Sequence, residues 1–468
     1  MVIAVLGGGA SGLMAAIAAS KHPGCEVHIL ERQNRVGRKL LATGNGRCNL
    51  TNTGLSVQAY HGERPEFVLP SLQRFGLKET LAFFQNLGLL TVADESGRVY
   101  PWSDQAGSVV DVLRFALETP NVHLHTGAEV TKICRQPEGG FLLTCEDGSL
   151  SASRVIAACG GLAGTALGGS MAGYRLLKSL GHHCTKLRPA LVQLKSSYPR
   201  CASLKGIRAV CRLWLTQNGE TTVENRGEVQ FTAYGLSGPA IFELSRDACI
   251  GPGDWVCHLD LLPSLTGDAL KDFLTRRKQQ CPGLQAENLL TGTVHNRLGR
   301  ILVQEAQIPL TASLSQLTPR DFAAVASVAK DFPFTLTGPM GMDSAQVTAG
   351  GLCTEEFDPV TLESRLCPGL YACGELLDID GDCGGYNLQW AWSSGYAAGT
   401  AAGKRDLHVG IGRHVGFGHL LHNGQHGGGA VDDDFVGSLR LSGQKTGQGQ
   451  KGSQDNAFHL HELRFFGL

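Results

Sequence analysis

The first thirty-one residues of the chain carry the pattern that most restricts its fold. A short apolar run, Val2–Leu6, leads into residues 7–12, GGGASG, which match G-x-G-x-x-G. A stretch rich in alanine then predicts a helix, and a second apolar run ends on Glu31. A strand, a glycine turn, a helix, a second strand and a terminal acid, in this order, are typical of the βαβ unit that binds a dinucleotide.

Each glycine of the motif has its own expected role. Gly7 permits the tight turn, Gly9 lets the backbone approach a pyrophosphate, and Gly12 lets the helix pack closely on the strand. The N–H groups at the start of the helix offer partial positive charge to phosphates. Glu31 is placed to accept hydrogen bonds from ribose hydroxyls, which favours a ribose without a 2′-phosphate. NAD and FAD both satisfy these conditions.

A segment more than three hundred residues further along distinguishes the two cofactors. Residues 369–375, GLYACGE, predict a buried strand that ends on Gly374 and Glu375, and a helix is predicted from Gly384 through Ala398. A carboxylate after such a strand can bind the ribityl hydroxyls of a flavin. A helix N-terminus can lie against the edge of the ring that becomes negative on reduction. NAD has no ribityl chain, so this segment favours FAD.

A third segment suits the same cofactor. Residues 37–52, GRKLLATGNGRCNLTN, combine glycines with paired cations. Such a loop can wrap a diphosphate and present backbone to a planar ring. An ordinary polar turn with a solvated basic face is the alternative interpretation of this composition.

Taken together, these segments resemble the YhiN-like flavoproteins, also called the aminoacetone oxidase family of FAD-binding enzymes, which includes 3-dehydro-bile acid reductases. The resemblance covers roughly residues 1–403 and also rests on GRVYPWSDQAGSVV from Gly97, FTAYGLSGPA from Phe231 and VTAGGL from Val347. It implies an FAD-dependent oxidoreductase of α/β class. Its Rossmann-like FAD-binding domain would be made of two distant segments with a domain inserted between them.

The resemblance also implies roles for individual residues. By it, Ala10 and Ser11 lie beneath the pyrophosphate, Glu31 binds the adenosine ribose, and Val130 meets the adenine through its backbone. Gly160 ends a strand-to-turn segment that is found midway through many FAD domains. The remaining implied positions line the flavin side or close over the ribityl chain and ring: Lys39, Asn45, Gly46, Arg47, Cys48, Asn49, Gly374, Glu375, Asp380, Asn387 and Leu388.

Two segments depart from the family pattern. Residues 162–174, LAGTALGGSMAGY, have small apolar residues where the family usually has an aromatic residue, a proline, a lysine and an acid. A histidine that is often found in the later threonine-tyrosine-glycine motif is replaced by Ala233. These departures leave the identity of the substrate open.

Charge and hydropathy bear on the expected partners. The formal net charge of −1 gives no electrostatic reason to expect nucleic acid or an acidic membrane, so the expected partner is a small-molecule substrate. The chain begins on a predicted core strand without a cleavage pattern, and no apolar stretch reaches the roughly twenty residues that span a bilayer. We therefore expect a cytoplasmic protein, whose oligomeric state the sequence leaves open.

The 15 cysteines include no C-x-x-C pair, which argues against a zinc knuckle or a thioredoxin-like redox pair. Most are expected to be buried thiols that act as small hydrophobes. Cys48, which the resemblance places near the flavin, is expected to pack rather than react, because no partner cysteine lies nearby in sequence. No metal site is predicted.

The domain organisation is predicted as one FAD-binding domain, residues 1–189 and 345–403, interrupted by a substrate or cap domain at 190–344. Residues 404–468 are rich in glycine, glutamine and histidine with little apolar periodicity, which predicts a disordered tail. Translation past a frameshift would produce the same composition.

The inserted segment is expected to be β-rich first and then helical. Partial alternation predicts strands at residues 208–215 and 254–261. Apolar residues on one helical face predict a helix around 270–274, and Thr318 followed by Pro319 predicts the start of another.

The chemistry follows from the single dinucleotide fingerprint. With no second one, NADH or NADPH is expected to dock transiently over the flavin, and hydride would pass through flavin N5 to the substrate. We expect an NAD(P)H-dependent reductase of an unsaturated or carbonyl small molecule. A flavin oxidase that uses oxygen is one alternative, and a flavin-binding protein that acts by interaction, for instance in RNA modification, is another. Tyr386 and Arg47 could approach the ring, and no catalytic residue is assigned.

Overall fold

The structure, a computed structural model, describes residues 1–248 and 251–404. Its strands in chain order are β1 (Val2–Leu6), β2 (Glu26–Glu31), β3 (Thr51–Asn52), β4 (Tyr60–His61), β5 (Thr91–Ala93), β6 (Arg98–Pro101), β7 (Val122–Thr126), β8 (Val130–Arg135), β9 (Phe141–Cys145), β10 (Gly148–Ala152), β11 (Arg154–Ala157), β12 (Arg188–Ala190), β13 (Leu194–Ser196), β14 (Arg208–Gln217), β15 (Glu220–Thr232), β16 (Gly235–Ser237), β17 (Trp255–Asp260), β18 (Phe332–Pro339), β19 (Val347–Ala349), β20 (Leu370–Ala372) and β21 (Asp380–Gly381). Its α-helices are α1 (Ala10–Ser20), α2 (Arg38–Ala42), α3 (Leu69–Arg74), α4 (Leu77–Asn86), α5 (Ala106–Phe115), α6 (Ala172–Lys178), α7 (Cys201–Leu204), α8 (Pro239–Ser245), α9 (Gly267–Gln280), α10 (Asn296–Glu305), α11 (Pro319–Lys330) and α12 (Tyr386–Gly403).

Five parallel strands form the sheet that carries the glycine turn, in the order β20-β11-β1-β2-β7. The central strand β1 is buried over residues 3–6, as expected for an apolar strand of a parallel sheet. Strand β20, from the late segment, pairs with β11 with Leu370 opposite Val155. Two distant segments therefore build one sheet, and the predicted fold class is confirmed.

Close packing of α1 on α12 joins the two segments a second time. A Cβ atom at Gly395 would lie 2.4 Å from the Ser11 carbonyl oxygen, and one at Gly399 would lie 2.2 Å from that of Ala15. Because the paired positions increase together along both chains, the helices run parallel. At 1.5 Å per residue, α12 begins about 12 Å before the start of α1 along their common direction.

The inserted segment forms a closed antiparallel barrel in the order β13-β16-β15-β14-β17-β18. The two strands that were predicted from alternation are present as β14 and β17, and they pair directly. Their alternate residues fill the barrel interior, where Leu213, Leu215, Cys257 and Leu259 are fully buried. The alternation of residue types along these two strands therefore corresponds to the inner and outer faces of the barrel wall.

Helices and a last strand complete this segment. Helix α9 contains the predicted apolar face, and α11 starts after Thr318, whose Oγ1 accepts a hydrogen bond from the Asp321 N–H at 3.4 Å. The Asp321 carboxylate accepts in return from the Thr318 N–H at 2.7 Å, which completes a capping box. After α11 the chain returns to the barrel, because β18 pairs with both β13 and β17. The predicted order, β-rich and then helical, omitted this closing strand.

The predicted domain boundaries fall on a two-stranded antiparallel ladder of β12 and β19, in which Ala190 lies opposite Val347. One apolar core draws on residues of both outer segments, and a separate core runs from Leu194 to Leu336. The boundaries themselves stay a prediction.

Three further expectations concern the tail, membrane spans and the cysteines. The predicted tail, residues 404–468, lies outside them except for Lys404. Within residues 1–248 and 251–404, no helix is both long enough and apolar enough to cross a bilayer. The cysteines in these ranges are all free, and those at Cys211, Cys257 and Cys373 are fully buried.

Candidate functional site

One cleft of about 570 Å³ brings the predicted segments together. It runs past the carboxyl ends of β1, β2 and β11, where open α/β sheets bind ligands. The start of α12 and residues Pro239 and Phe242 of the inserted segment line its other side. The cleft thus joins the dinucleotide unit to the barrel.

The glycine turn leaves room for a diphosphate at the start of α1. A Cβ atom at Gly7, whose φ is +108°, would lie 2.5 Å from the Ala158 carbonyl oxygen, and one at Gly12 would lie 1.9 Å from the Gly7 carbonyl oxygen. At Gly9, by contrast, a Cβ atom would meet nothing within 4 Å. Gly9 caps α1 without any side-chain hydrogen bond, so backbone N–H groups face an open cradle that fits a diphosphate.

Glu31 ends β2 beside this cradle. Its Oε2 accepts a hydrogen bond from the Gly8 N–H at 2.6 Å, and its Oε1 accepts one from the Gln33 N–H at 2.7 Å. These two bonds fix the carboxylate against the glycine turn. Each oxygen keeps a lone pair that can accept from a ribose hydroxyl.

The loop after α2 passes along the cleft in a left-handed backbone conformation. Asn45 and Cys48 both have positive φ, 57° and 63°. Arg47 lies over the Tyr100 ring, with 4.2 Å between the guanidinium carbon and the ring centre. The Asn49 Oδ1 is buried and has no hydrogen-bond partner among the described residues. An orphaned acceptor in the cleft wall suits a ligand that brings its own N–H or O–H donor.

Cys48 itself faces away from the cleft and into the core. It is fully buried, and its burial raises the pKa of the thiol to about 12. A thiol in this environment stays protonated near neutral pH, which agrees with the expected packing role.

Glu375 and Lys39, predicted on separate grounds, form an ion pair. Lys39 Nζ lies 2.7 Å from Glu375 Oε2. The other carboxylate oxygen accepts hydrogen bonds from both the N–H and the hydroxyl of Thr348, each at 2.9 Å. Glu375 therefore ties α2 to β19 and keeps limited capacity for a ribityl hydroxyl.

Asp380 and Asn387 make structural contacts around the cleft. The buried Asp380 carboxylate accepts two hydrogen bonds from Arg246, at 2.8 Å and 3.2 Å. The Asn387 side chain accepts from the Gly381 N–H at 2.8 Å and donates to the Gly381 carbonyl oxygen at 2.6 Å. Asp380 thus ties β21 to Arg246 just after α8, and Asn387 holds the turn that leads into α12.

Most positions predicted from the sequence line the cleft: Gly7, Gly9, Ala10, Ser11, Glu31, Lys39, Asn45, Arg47, Asn49, Val130, Gly160, Glu375, Asn387 and Leu388. The lining does not include Gly12, Gly46, Cys48, Gly374 and Asp380. Gly374 still has a packing role, since a Cβ atom there would lie 2.5 Å from the Ser11 Oγ. The individual cofactor contacts stay predictions.

Sequence reasoning missed a group of charged and titratable residues at the barrel end of the cleft. Arg98, Tyr100, Asp382 and Cys383 line it, and Glu243 of α8 lies within electrostatic range of Asp382 and Cys383. Three of these positions, Arg98, Tyr100 and Glu243, lie in or just after motifs on which the resemblance rests, GRVYPW and FTAYGLSGPA. Those motifs were the available signal.

Burial controls the protonation of this group. It raises the pKa of the Glu243 carboxyl, and the charge of Asp382 raises it further, whereas the hydrogen bond from Asn225 lowers it. Burial also raises the pKa of the Cys383 thiol, against the lowering effect of Arg98. The barrel end therefore combines two proton-carrying groups with a guanidinium.

The sequence matches the family described as HI0933-like protein Rossmann domain over residues 1–401. The chain belongs to this family, which confirms the resemblance inferred from the sequence. The family and the cleft together identify it as an FAD-dependent oxidoreductase.

Named relatives extend over most of the chain. It is 41% identical to the 3-dehydro-bile acid delta(4,6)-reductase of Clostridium scindens, over 86% of this chain and 99% of that protein. It is 33% identical to the ribosomal RNA dihydrouridine synthase of Escherichia coli, over 84% of this chain and 96% of that protein. A solved 3-ketosteroid delta1-dehydrogenase from Sterolibacterium denitrificans aligns over 86% of this chain and 99% of its own, with 13% identity and a TM-score of 0.46, too low to assign a function.

Proposed function

We propose that this member of the HI0933-like family uses NADH or NADPH to reduce a carbon–carbon double bond conjugated to a carbonyl group in an apolar small molecule. Arg98 and Cys383, which line the cleft, carry the proposal together with Glu243, whose charge interacts with both. The relatives' names support it, because a bile acid delta(4,6)-reductase and a dihydrouridine synthase both add two hydrogens to such a double bond.

The reaction places negative charge on the substrate, which Arg98 is suited to stabilise. When bound, FAD supplies hydride transfer through its ring. Addition of hydride to the far carbon of the double bond moves charge onto the carbonyl oxygen, where a fixed cation lowers the barrier. Arg98 lines the cleft, where its charge also lowers the pKa values of Glu243 and Cys383. The same charge would stabilise a negative substrate oxygen beside these groups.

The second hydrogen must arrive as a proton. The Glu243 Oε2 accepts a hydrogen bond from the Asn225 side chain at 2.6 Å, which leaves the other oxygen to carry the proton. Its raised pKa keeps a larger fraction protonated at neutral pH than for an exposed glutamate. Cys383, which lines the cleft with a protonated thiol, is the neighbouring donor.

The cleft walls favour an apolar substrate. Leu191, Pro239, Phe242 and Ile379 contribute apolar surface, with Pro239 and Phe242 on α8 beside Glu243. A rigid polycyclic enone fits such walls better than a charged metabolite.

A second candidate substrate is uridine in ribosomal RNA, which the 33% identical relative from Escherichia coli favours. The charges on the barrel surface argue against binding of ribosomal RNA. On the β14–β15 hairpin, Arg208 lies 3.5 Å from Glu228 and Arg212 lies 2.8 Å from Glu224. Paired arginines on a chain of net charge −1 offer little attraction to a phosphate backbone.

Anaerobic mixing of the FAD-loaded full chain with NADH or NADPH tests the proposal. We expect at least one of them to bleach the visible flavin absorbance. A 3-oxo-Δ4 steroid should then restore the colour and gain two hydrogens. Restoration by a ribosomal RNA transcript and not by the steroid would favour the second candidate. Failure of both nicotinamides, with fast bleaching by an amine or alcohol and reoxidation in air, would favour an oxidase.

A further inference from the structure

Four metal-ligating side chains lie together at the edge of the parallel sheet, away from the cleft lining. Strands β2 and β7 pair in parallel with His28 opposite His123. Glu26 and His28 are two residues apart on β2, as are His123 and His125 on β7, so each pair shares one face of the sheet. Register and alternation thus bring three imidazoles and one carboxylate to a single patch.

The atoms of three of these residues have the spacing of a metal site. His123 Nε2 lies 3.1 Å from Glu26 Oε1, and His28 Nε2 lies 3.4 Å from the same oxygen. All three ligand atoms lie within 4.8 Å of one another. In a tetrahedral zinc site with bonds of roughly 2.0–2.1 Å, neighbouring ligand atoms are about 3.3 Å apart. Little movement is needed to reach that geometry.

His125 orients the ligand ring of His28. Its Nε2 lies 3.0 Å from His28 Nδ1, and the two rings are stacked with 3° between their planes. When His28 Nδ1–H donates to His125, the lone pair of His28 Nε2 faces Glu26 and His123. Metal-binding histidines usually donate the other ring N–H to an acceptor that fixes the tautomer, and His125 can serve as that acceptor here.

We propose that Glu26, His28 and His123 bind one divalent transition-metal ion of the zinc class, with solvent completing the coordination and His125 acting as a positioning residue. Imidazole and carboxylate donors suit zinc, cobalt and nickel. Strand β7 is the edge of the sheet, and the ion would clip it to β2, the strand that ends on Glu31. No metal site was predicted from the sequence, because E-x-H at residue 26 and H-x-H at residue 123 become neighbours only when β2 and β7 pair.

Zinc stoichiometry of the FAD-loaded full chain tests the site. The chain has further histidines outside the described residues, so the test is a difference between variants that share them. After removal of metal with EDTA, equilibrium dialysis against Zn²⁺ and elemental analysis should find one ion fewer per chain in His123→Asn and in Glu26→Gln than in the wild type. His183→Asn is the matched control, because His183 is an exposed histidine that contacts the Glu356 carboxylate at 2.6 Å.

Cobalt gives a second, structural measurement on the same proteins. The wild type and the His183→Asn control should show the intense visible absorption of tetrahedral Co²⁺, and His123→Asn and Glu26→Gln should lose it. Retained flavin absorption shows that each variant is folded. Glu26→Gln changes one exposed side chain only, so it remains informative where His123→Asn does not fold. Equal zinc stoichiometry and equal cobalt spectra in all four proteins would overturn the proposal.

Discussion

The two ends of the cleft are built in different ways. At the phosphate end, contiguous backbone around Gly9 and one side chain, Glu31, form the cradle. At the barrel end, Arg98, Glu243 and Cys383 come from three distant segments. Binding at the first end needs backbone geometry, which a short motif encodes. Chemistry at the second end needs side chains in a shared electrostatic field, which only the folded chain assembles.

The largest effect is expected at the phosphate end, from Gly12→Ala. Its Cβ atom would lie 1.9 Å from the Gly7 carbonyl oxygen, so the backbone must move. Overpacking of this kind typically costs about 1–3 kcal/mol in the free energy of unfolding, and a clash with backbone falls at the upper end. Gly9→Ala is the control, because nothing lies within 4 Å of its Cβ atom. Its apo stability should stay near wild type while FAD affinity falls at least tenfold, as measured by thermal unfolding and flavin titration. Equal melting temperatures for Gly12→Ala and Gly9→Ala would contradict these separate roles of the two glycines.

At the barrel end, we expect Glu243→Gln to lower kcat for enone reduction by roughly a hundredfold. The pKa of Glu243 is raised, so its protonated form persists above the usual range, and wild-type kcat should fall as pH rises through that pKa. In the variant, kcat should no longer show this fall with rising pH. NAD(P)H should still bleach its flavin at the wild-type rate. The control is Glu287→Gln, which removes a surface ion pair with Arg300. It should leave both kcat and the pH profile unchanged. An unchanged pH profile in Glu243→Gln would assign the proton to another group.

Glu31→Ala should weaken FAD binding at least tenfold without unfolding the chain. Charge-assisted hydrogen bonds to ribose are worth about 1.5–3 kcal/mol. The carboxylate also accepts from the Gly8 and Gln33 N–H groups, so the loss reaches the glycine turn. Glu31→Gln keeps one acceptor oxygen. Its FAD affinity in a fluorescence titration should lie between that of the wild type and that of Glu31→Ala. Wild-type affinity in Glu31→Ala would mean that the ribose lies elsewhere.

The difference between the two ends of the cleft also explains which parts of the site could be predicted from the sequence. The phosphate cradle was predictable because its glycines lie within six residues and their spacing has a direct steric meaning. The Lys39–Glu375 ion pair was not, because 336 residues separate its partners and only the fold of the sheet brings them together. Strand β18 was missed for a related reason, since it closes the barrel after an intervening helical stretch. Glu243 gave no signal of its own, because its pKa depends on burial and on charges from β21 and its neighbours.

The smallest effect is expected from Cys48→Ala, which lies on the loop between the two ends. The thiol is fully buried and its pKa is raised to about 12, so it acts as a small apolar group and not as a nucleophile. Its loss should cost about 1 kcal/mol of stability. Flavin bleaching by NAD(P)H and enone reduction should keep their wild-type rates. Iodoacetamide should leave Cys48 unmodified in the native protein at pH values well below that pKa, as peptide mass analysis would report. Rapid alkylation of Cys48, or loss of flavin reduction in the variant, would show that Cys48 is a reactive thiol. The chemistry would then not be confined to the barrel end of the cleft.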